Sequence, residues 1–459
     1  MAPKFGTSGL RGLVSELTED LVADYIRAFL AACPPGRGLF VGGDLRPSTG
    51  RIARTVIETA LNEGVDVTAC GALPTPALAY LARGAAAAAV MVTGSHIPAD
   101  RNGLKFYTPL GEITKADEAA ILTALGRRPG NFAPPGRLLS ETNGNAAFTH
   151  RYVSVFGSGA LQGRRIGVYS HSAVGRGVML ATLRGLGAEV VEFGHSDTFI
   201  PVDTEAVDPD VARQIAVWVQ GEKLDALIST DGDSDRPLLA DETGRIVPGD
   251  ILGQIAAQAL GAEVVVTPVS SNSGVMRKGF ASVLRTRIGS PFVIAAMEEA
   301  GGRVVGYEAN GGFLLGFDAA TPGGVITRLP TRDFLLPLLM VLTAAKGGSV
   351  SDLVGREPPV VTLSDRLQEI APERSGPFLA RLIRDPAARV AFLAGLGQRE
   401  AATDLTDGLR ITLVTGAILH LRPSGNAPEF RLYTEAEDAA AARDLMDRGL
   451  SAVRQALTA

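Results

Sequence analysis

Residues 224–236 read LDALISTDGDSDR, an apolar run that passes directly into three alternating carboxylates. The run Leu224–Thr230 predicts a buried strand, and Asp231, Asp233 and Asp235 follow it at every second position. In an extended or tightly looped segment, this spacing converges carboxylate oxygens on one cation, as Mg²⁺ and Ca²⁺ require. Ligands in α/β sheets bind beyond the carboxyl ends of strands. The stretch therefore predicts an α/β unit that carries a metal-binding loop.

The same arrangement recurs on both sides of this stretch. Upstream, the strand Ala85–Thr93 runs into Gly94-Ser95-His96, and downstream the strand Arg303–Tyr307 runs into Glu308-Ala-Asn310-Gly-Gly312. Short apolar strands alternate with helical stretches before each loop, which predicts three related α/β units with largely parallel sheets. The other predicted strands are Leu39–Val41, Val65–Ala69, Arg165–Ser170, Glu189–Phe193, Glu263–Pro268 and Ser282–Arg287, and the predicted helices are Arg51–Asn62, Pro76–Arg83, Val178–Leu186 and Asp210–Glu222.

The C-terminal part follows a different pattern and predicts an α+β unit. Leu409–Val414 and Ala417–Leu421 resemble a hairpin, Phe430–Thr434 a further strand, and Asp438–Leu457 an amphipathic helix. Connections that carry Pro and Gly mark the boundaries between units. We expect four domains, at residues 1–145, 146–246, 247–358 and 359–459.

Composition excludes several classes of protein. The net charge of −5 argues against nucleic-acid binding, which needs a concentrated basic surface. Cys33 and Cys70 are too few for a disulfide framework, so we expect free, buried thiols. The N-terminal residues do not resemble a signal peptide, and the apolar stretch Phe334–Ala345 has twelve residues where a membrane span needs about 20. We therefore expect a core helix there, no membrane partner and a cytoplasmic protein.

Two other interpretations of the acidic loop fit the sequence less well. An EF-hand would explain Glu242 at the twelfth loop position, but Arg236 stands where that loop needs Gly, and Pro237 follows. The loop also leaves a strand, whereas an EF-hand loop leaves a helix. A solvated acidic turn would leave three carboxylates without neutralisation at the end of a buried strand. The metal site is the interpretation that we adopt.

Two further loops contain residues suited to phosphate chemistry. Ser95 follows the flexible Gly94 and has His96 and Lys105 nearby in sequence, although a serine here is more often a turn residue or helix cap. No Gly-x-Ser-x-Gly elbow is present. Residues 422–431 combine a glycine turn, polar side chains and two arginines, which either hold a phosphate or form a surface turn. No P-loop and no Gly-x-Gly-x-x-Gly after a strand occurs, so nucleotide binding is not indicated.

Taken together, these loops resemble the α-D-phosphohexomutases, in particular the phosphomannomutase/phosphoglucomutase branch. The resemblance covers nearly the whole chain, in order. Its motifs are Phe5-Gly-Thr-Ser-Gly-Leu-Arg11-Gly12, Thr93-Gly-Ser95-His96, Asn102-Gly-Leu-Lys105, the loop 231–236, the Glu308 loop and the loop 422–431. The resemblance implies four domains around a central cleft, three related mixed α/β domains and a C-terminal α+β domain.

The resemblance also implies a role for each matched residue. Ser95 is the phosphoserine and completes the Mg²⁺ site of the three aspartates, Asp231, Asp233 and Asp235. The active-site cations are Arg11, Lys105 and Arg236, with Lys105 or His96 as general base. Sugar hydroxyls bind Glu308 and Asn310, and the non-reacting phosphate binds Arg422, Ser424, Asn426 and Arg431. A hexose 1,6-bisphosphate is the expected intermediate and activator.

The chain departs from the family pattern in three loops. Ile97-Pro98 replaces Asn-Pro after the serine and histidine, and Asn426-Ala427-Pro428 replaces Thr-Glu-Pro. In the sugar loop, Asn310 and Gly312 stand where Ser and often His are found. We expect a phosphohexomutase acting on mannose and also glucose phosphates, as a monomer or homodimer. The alternatives are a phosphoglucosamine mutase, a metal-dependent sugar phosphatase and a non-catalytic phosphosugar-binding protein.

Overall fold

The structure is a computed structural model that describes residues 3–6, 9–130, 133–423 and 429–458. The first sheet is built from Lys4–Phe5 (β1), Leu10–Leu13 (β2), Leu39–Gly43 (β3), Val67–Ala72 (β4), Ala88–Val92 (β5), Arg101–Thr108 (β6), Gly111–Glu112 (β7) and Leu138–Ser140 (β8). Its helices are Glu19–Ala32 (α1), Thr49–Asn62 (α2), Thr75–Gly84 (α3) and Lys115–Thr123 (α4). The strand order is β1-β2-β6-β5-β3-β4-β8, and β7 pairs with β6.

The second sheet is smaller and has the order β10-β9-β11-β12-β13. Its strands are Arg165–Tyr169 (β9), Glu189–Phe193 (β10), Ala226–Thr230 (β11), Pro237–Asp241 (β12) and Ile246–Val247 (β13), with helices Gly144–Phe156 (α5), Arg176–Gly185 (α6) and Pro209–Glu222 (α7). Local sequence explains where α7 begins, since Asp208 caps its N-terminus and Pro209 takes the first helical position.

The third sheet has the order β15-β14-β16-β17-β20, and β18 and β19 form a separate hairpin. The strands are Val264–Pro268 (β14), Ser282–Thr286 (β15), Val304–Tyr307 (β16), Phe313–Leu315 (β17), Ala319–Thr321 (β18), Gly324–Ile326 (β19) and Leu329–Asp333 (β20). The helices are Gly249–Ala259 (α8), Ser290–Ala300 (α9), Leu335–Ala344 (α10) and Val350–Gly355 (α11), with a short 3₁₀ helix at Ser273–Arg277.

The fourth sheet is entirely antiparallel, in the order β21-β25-β24-β23-β22. It contains Val361–Gln368 (β21), Glu400–Asp404 (β22), Leu409–Leu413 (β23), Ile418–Pro423 (β24) and Glu429–Ala436 (β25), and its helices are Pro372–Arg384 (α12), Pro386–Gly395 (α13) and Ala439–Thr458 (α14). Its core is a separate apolar cluster between Leu367 and Leu457.

The first three sheets share one arrangement that positions the polar loops. In each, a central strand has parallel neighbours on both sides, and the second of these neighbours is followed by an antiparallel strand. The polar loop connects these last two strands in every case: β5 to β6, β11 to β12 and β16 to β17. Because these loops leave the carboxyl ends of parallel strands, they occupy the position where α/β sheets bind ligands.

The predicted fold class is confirmed by these three α/β sheets and the antiparallel C-terminal unit. Strand Glu189–Phe193 has its predicted bounds, whereas the strand predicted from Ala85 begins at Ala88, because Ala85 still caps α3. Helix α10 is buried in the core, as predicted. Both cysteines are free and buried. The domain boundaries stay predictions.

Among the described residues, no helix has both the length and the hydrophobicity needed to cross a membrane.

Candidate active site

The loop between β11 and β12 brings three buried carboxylates together. One oxygen from each of Asp231, Asp233 and Asp235 lies within 4.8 Å of the other two. The Oδ1 atoms of Asp233 and Asp235 have no hydrogen-bond partner among the described residues. Buried polar atoms without partners are rare, and hard oxygen ligands are what Mg²⁺ takes. The donor set therefore fits a divalent cation.

Cations from other parts of the chain partly neutralise this cluster. Lys105 Nζ lies 2.6 Å from Asp233 Oδ2 and 2.5 Å from Asp235 Oδ2, and Arg332 Nη2 lies 2.8 Å from Asp235 Oδ2. Burial raises the pKa of Asp231 to about 8, and the charges of Asp233 and Asp235 act in the same direction. Burial also opposes ionisation of Asp233, but Lys105 outweighs it and lowers that pKa. The cluster without a metal therefore holds a proton on Asp231 near neutral pH.

Ser95 lies directly against this cluster. Its Oγ donates a 2.6 Å hydrogen bond to Asp231 Oδ2, although the two residues are 136 positions apart in the chain. The backbone of Ser95 is left-handed, with φ 55°, and its N–H donates to Thr93 Oγ1 at 2.7 Å. A non-glycine residue in this conformation is strained, so the surrounding contacts must hold it in place. The fold thus presents the buried Ser95 hydroxyl to the predicted metal site.

His96 is held as a neutral imidazole beside the serine. Its Nδ1 accepts a hydrogen bond from Arg236 Nη1 at 3.0 Å and lies 3.4 Å from Ser95 Oγ. Burial and then the charge of Arg236 lower the pKa of His96 to about 3. Asp203 Oδ2 lies 3.9 Å from His96 Nε2. His96 is therefore uncharged at physiological pH.

Arg11 adds a further cation on β2. Its pKa is lowered to about 10 by burial and then by the charge of Arg236, while Asp233 acts in the opposite direction. Arg11, Lys105, Arg236 and Arg332 thus concentrate positive charge around the aspartate cluster, in a chain whose net charge is negative.

The loop between β16 and β17 carries the predicted sugar-binding residues. Glu308 is buried, and its Oε2 lies 3.5 Å from Arg332 Nη1, beyond normal hydrogen-bond distance. Asn310 Oδ1 accepts from the backbone N–H of Gly312 at 2.9 Å, so this oxygen serves its own loop. The Asn310 carbonyl accepts from Thr204 Oγ1 at 2.8 Å, which ties the loop to the second unit.

The predicted phosphate-binding arginines lie side by side on the fourth sheet. Arg422 on β24 is the register partner of Arg431 on β25, which also pairs with Arg366 on β21. Arg422 Nε donates to Asp407 Oδ1 at 2.9 Å. The loop between β24 and β25, with Ser424 and Asn426, lies outside the described residues.

Among the described residues, no ion pair or hydrogen bond joins Arg422 or Arg431 to the three aspartates.

Known proteins match this chain along its length, both domain by domain and as a whole. Models of phosphoglucomutase/phosphomannomutase domains match in sequence: α/β/α domain I at residues 2–128, domain II at 147–244, domain III at 248–360 and the C-terminal domain at 382–450. A phosphomannomutase of Sinorhizobium fredii is 43% identical over 100% of both chains. That identity over full length decides the family. The chain belongs to the phosphoglucomutase/phosphomannomutase family.

Other relatives agree with this membership. A phosphomannomutase of Salmonella muenchen is 41% identical, covering 99% of this chain and 96% of its own, and a phosphoglucosamine mutase of Acidothermus cellulolyticus is 32% identical over the same shares. The crystal structure of a phosphoglucomutase/phosphomannomutase family protein from Burkholderia thailandensis superposes with a TM-score of 0.79, at 20% identity over 98% of this chain and 97% of that one. The prediction of a phosphohexomutase, an intramolecular phosphotransferase, is confirmed.

Sequence reasoning missed the residues that hold the phosphohexomutase loops in place. Arg46 donates to the backbone carbonyls of Ser95, Ile97, Pro98 and Arg101 and to the Asp44 carboxylate. Asp44 also accepts from Thr49 and Thr93. The available signal was position, since 44–48 is the polar loop after β3, at the same edge as the other loops.

Proposed function

We propose that this chain interconverts hexose 1-phosphates and hexose 6-phosphates, of mannose and also of glucose, through a phosphoryl group on Ser95. The observation that carries the proposal is the 2.6 Å hydrogen bond from Ser95 Oγ to Asp231, inside a cluster of three carboxylates and several cations. This arrangement suits phosphoryl transfer, in which catalysis comes mostly from positioning and from charge stabilisation.

Asp231, Asp233 and Asp235 would hold a Mg²⁺ ion, which would supply charge neutralisation at the phosphoryl oxygens. The two aspartate oxygens without hydrogen bonds support this assignment. Lys105, Arg11 and Arg236 would surround the same group with positive charge. Arg422 and Arg431, with Ser424 and Asn426, would hold the other phosphate of the substrate. Glu308 would accept hydrogen bonds from sugar hydroxyls, and Asn310, whose Oδ1 already accepts from Gly312, would donate to them through its amide N–H groups.

The transfer has two halves. In the first, the free hydroxyl of a hexose 1-phosphate attacks the phosphorus on Ser95; the Ser95–O–P bond breaks and a hexose 1,6-bisphosphate forms. In the second, after the intermediate reorients, Ser95 Oγ attacks the C1 phosphoryl group, the bond between phosphorus and the C1 oxygen breaks, that oxygen takes back the proton removed in the first half, and the hexose 6-phosphate is released. The hydroxyl proton passes to His96 or Lys105. Of the two, His96 is neutral, whereas Lys105 donates to two carboxylates.

Product analysis with Mg²⁺ and a series of hexose 1-phosphates tests the reaction. Mannose and glucose differ at C2, which Glu308 and Asn310 would not contact, so we expect kcat/KM values within about 100-fold of each other. Galactose inverts C4 and leaves the buried Glu308 carboxylate without its hydrogen bond from the sugar, so we expect rejection of order 10⁴-fold. Release of inorganic phosphate without a 6-phosphate would instead identify a sugar phosphatase, and preference for glucosamine 1-phosphate a phosphoglucosamine mutase.

Peptide mapping tests the serine separately. We expect part of the purified protein to carry phosphate on Ser95, increasing after incubation with a hexose 1,6-bisphosphate. An unmodified Ser95 after that incubation would contradict its role as the phosphoryl carrier.

We also propose that the enzyme acts in the cytoplasm as a monomer or homodimer. Light scattering in solution tests the oligomeric state, and cell fractionation tests the compartment.

A further inference from the structure

Arg332 connects the three loop-bearing units at one point. It lies on β20, and its side chain is 3% exposed. Its Nη2 is 2.8 Å from Asp235 in the metal loop and 3.9 Å from Glu112 on β7 of the first sheet, and its Nη1 is 3.5 Å from Glu308 in the sugar loop. Each of the first three units thus contributes one carboxylate to a single buried guanidinium.

The geometry leaves Glu308 available to a substrate. The 3.5 Å separation brings the charge of Arg332 close to Glu308 without making a normal hydrogen bond to it. The carboxylate is therefore neutralised by a cation while its oxygens can still accept hydrogen bonds from a ligand. A buried carboxylate without such a cation would be costly.

The sugar loop has a shape that admits Arg332. A Cβ atom on Gly312 would lie 2.6 Å from Arg332 Cδ and 2.9 Å from Cγ, closer than such atoms approach. Gly312 is also the donor that fixes Asn310 Oδ1. Because Gly312 has no side chain, the Arg332 side chain can lie against the loop and reach Asp235.

The neighbouring residue anchors this strand independently of Arg332. Asp333 accepts hydrogen bonds from Tyr152 Oη on α5 and from the backbone N–H groups of Leu335 and Leu336. The backbone of β20 is thus held between the second and third units. Replacement of the Arg332 side chain leaves these Asp333 hydrogen bonds, and therefore the position of the strand, in place.

We propose that Arg332 is a positioning residue that sets the sugar loop, through Glu308, against the metal loop, through Asp235. The inference rests on the proposed function. The reaction needs the sugar and the phosphoryl group aligned in both halves, and a misplacement of about 1 Å costs about 100-fold in rate. Arg332 directs Nη1 toward Glu308 and Nη2 toward Asp235, whereas lysine has one ammonium in place of two separated nitrogens, so a lysine cannot replace it fully.

Three variants and one matched control test the proposal. Arg332→Gln should lower kcat/KM for mannose 1-phosphate by about 100-fold, and Arg332→Lys should restore only part of this loss. Gly312→Ala leaves every charge intact but displaces Arg332, so it should lower kcat/KM at least about tenfold. Arg328→Gln, an exposed arginine four residues earlier, should stay within about twofold of wild type. Thermal melting of each variant reports on folding.

A double variant and a metal titration separate positioning from a merely structural role. Arg332→Gln with Gly312→Ala should be no worse than Arg332→Gln alone, because both changes remove the same contact. Binding of Mn²⁺, measured by calorimetry, should be unchanged or tighter in Arg332→Gln, since a cation beside Asp235 has been removed. Three results would overturn the proposal. They are a loss of Mn²⁺ affinity in Arg332→Gln as large as its loss of kcat/KM, a loss of kcat/KM in the double variant equal to the product of the two single losses, and wild-type kinetics in Arg332→Gln.

The wild-type measurement keeps the two proposals apart. If wild type forms no hexose 6-phosphate, the proposed function fails, and calorimetric binding of mannose 1-phosphate then replaces kcat/KM as the readout for Arg332. Weaker binding in both Arg332→Gln and Gly312→Ala supports the positioning role, and unchanged binding refutes it.

Discussion

Replacement of Arg46 by lysine tests whether the Ser95 loop depends on one guanidinium. Arg46 donates five side-chain hydrogen bonds, one to Asp44 and four to the backbone carbonyls of Ser95, Ile97, Pro98 and Arg101. Lysine keeps the charge but has three N–H donors at a single point, so at least two of the five bonds are lost. Hydrogen bonds to charged groups contribute about 1.5–3 kcal/mol each, which predicts a loss of about 3–6 kcal/mol.

The loss should appear both in stability and in catalysis. We expect Arg46→Lys to lower the free energy of unfolding by that amount, measured by urea denaturation, and to lower kcat at least about tenfold, because Ser95 is held in a strained conformation. Hydrogen exchange should increase at residues 94–101. Arg37→Lys, at an exposed position of the same unit, is the control. Wild-type stability together with wild-type kcat in Arg46→Lys would refute the reasoning.

Three further predictions follow from the charges of the site. Asp233→Asn should reduce turnover by about 10³-fold or more with the fold intact, whereas activity that survives and resists chelators would contradict a metal at this position. The pKa of Asp231 is raised to about 8, mainly by burial, so a metal must displace its proton. The Mn²⁺ affinity measured by calorimetry should therefore rise about tenfold per pH unit between about pH 6 and 8 and level off above pH 8. A flat profile would show that Asp231 is not titrating. Arg422→Ala and Arg431→Ala should mainly raise KM for the sugar phosphate, and unchanged KM in both would place the distal phosphate elsewhere.

The sequence determined the features that depend on neighbouring residues. Strand Ala226–Thr230 and the carboxylates after it are a local pattern, and apolar patterns identified the central strand and its two parallel neighbours in each of the three α/β units. In the C-terminal unit, β21, β22, α12 and α13 were not predicted, and for the two strands the reason is that exposed residues interrupt their apolar pattern.

Only the tertiary structure decided which side chains support these loops. The contact of Arg46 with the Ser95 carbonyl joins residues 49 positions apart, and Ser95 reaches Asp231 across 136 positions. Arg332 is one of many arginines in the sequence, and its role arises because β20 lies at the edge of the third sheet, where Asp235 and Glu308 converge. Local patterns specify strands and loops, but the distance between two charged side chains depends on how separate units pack against one another.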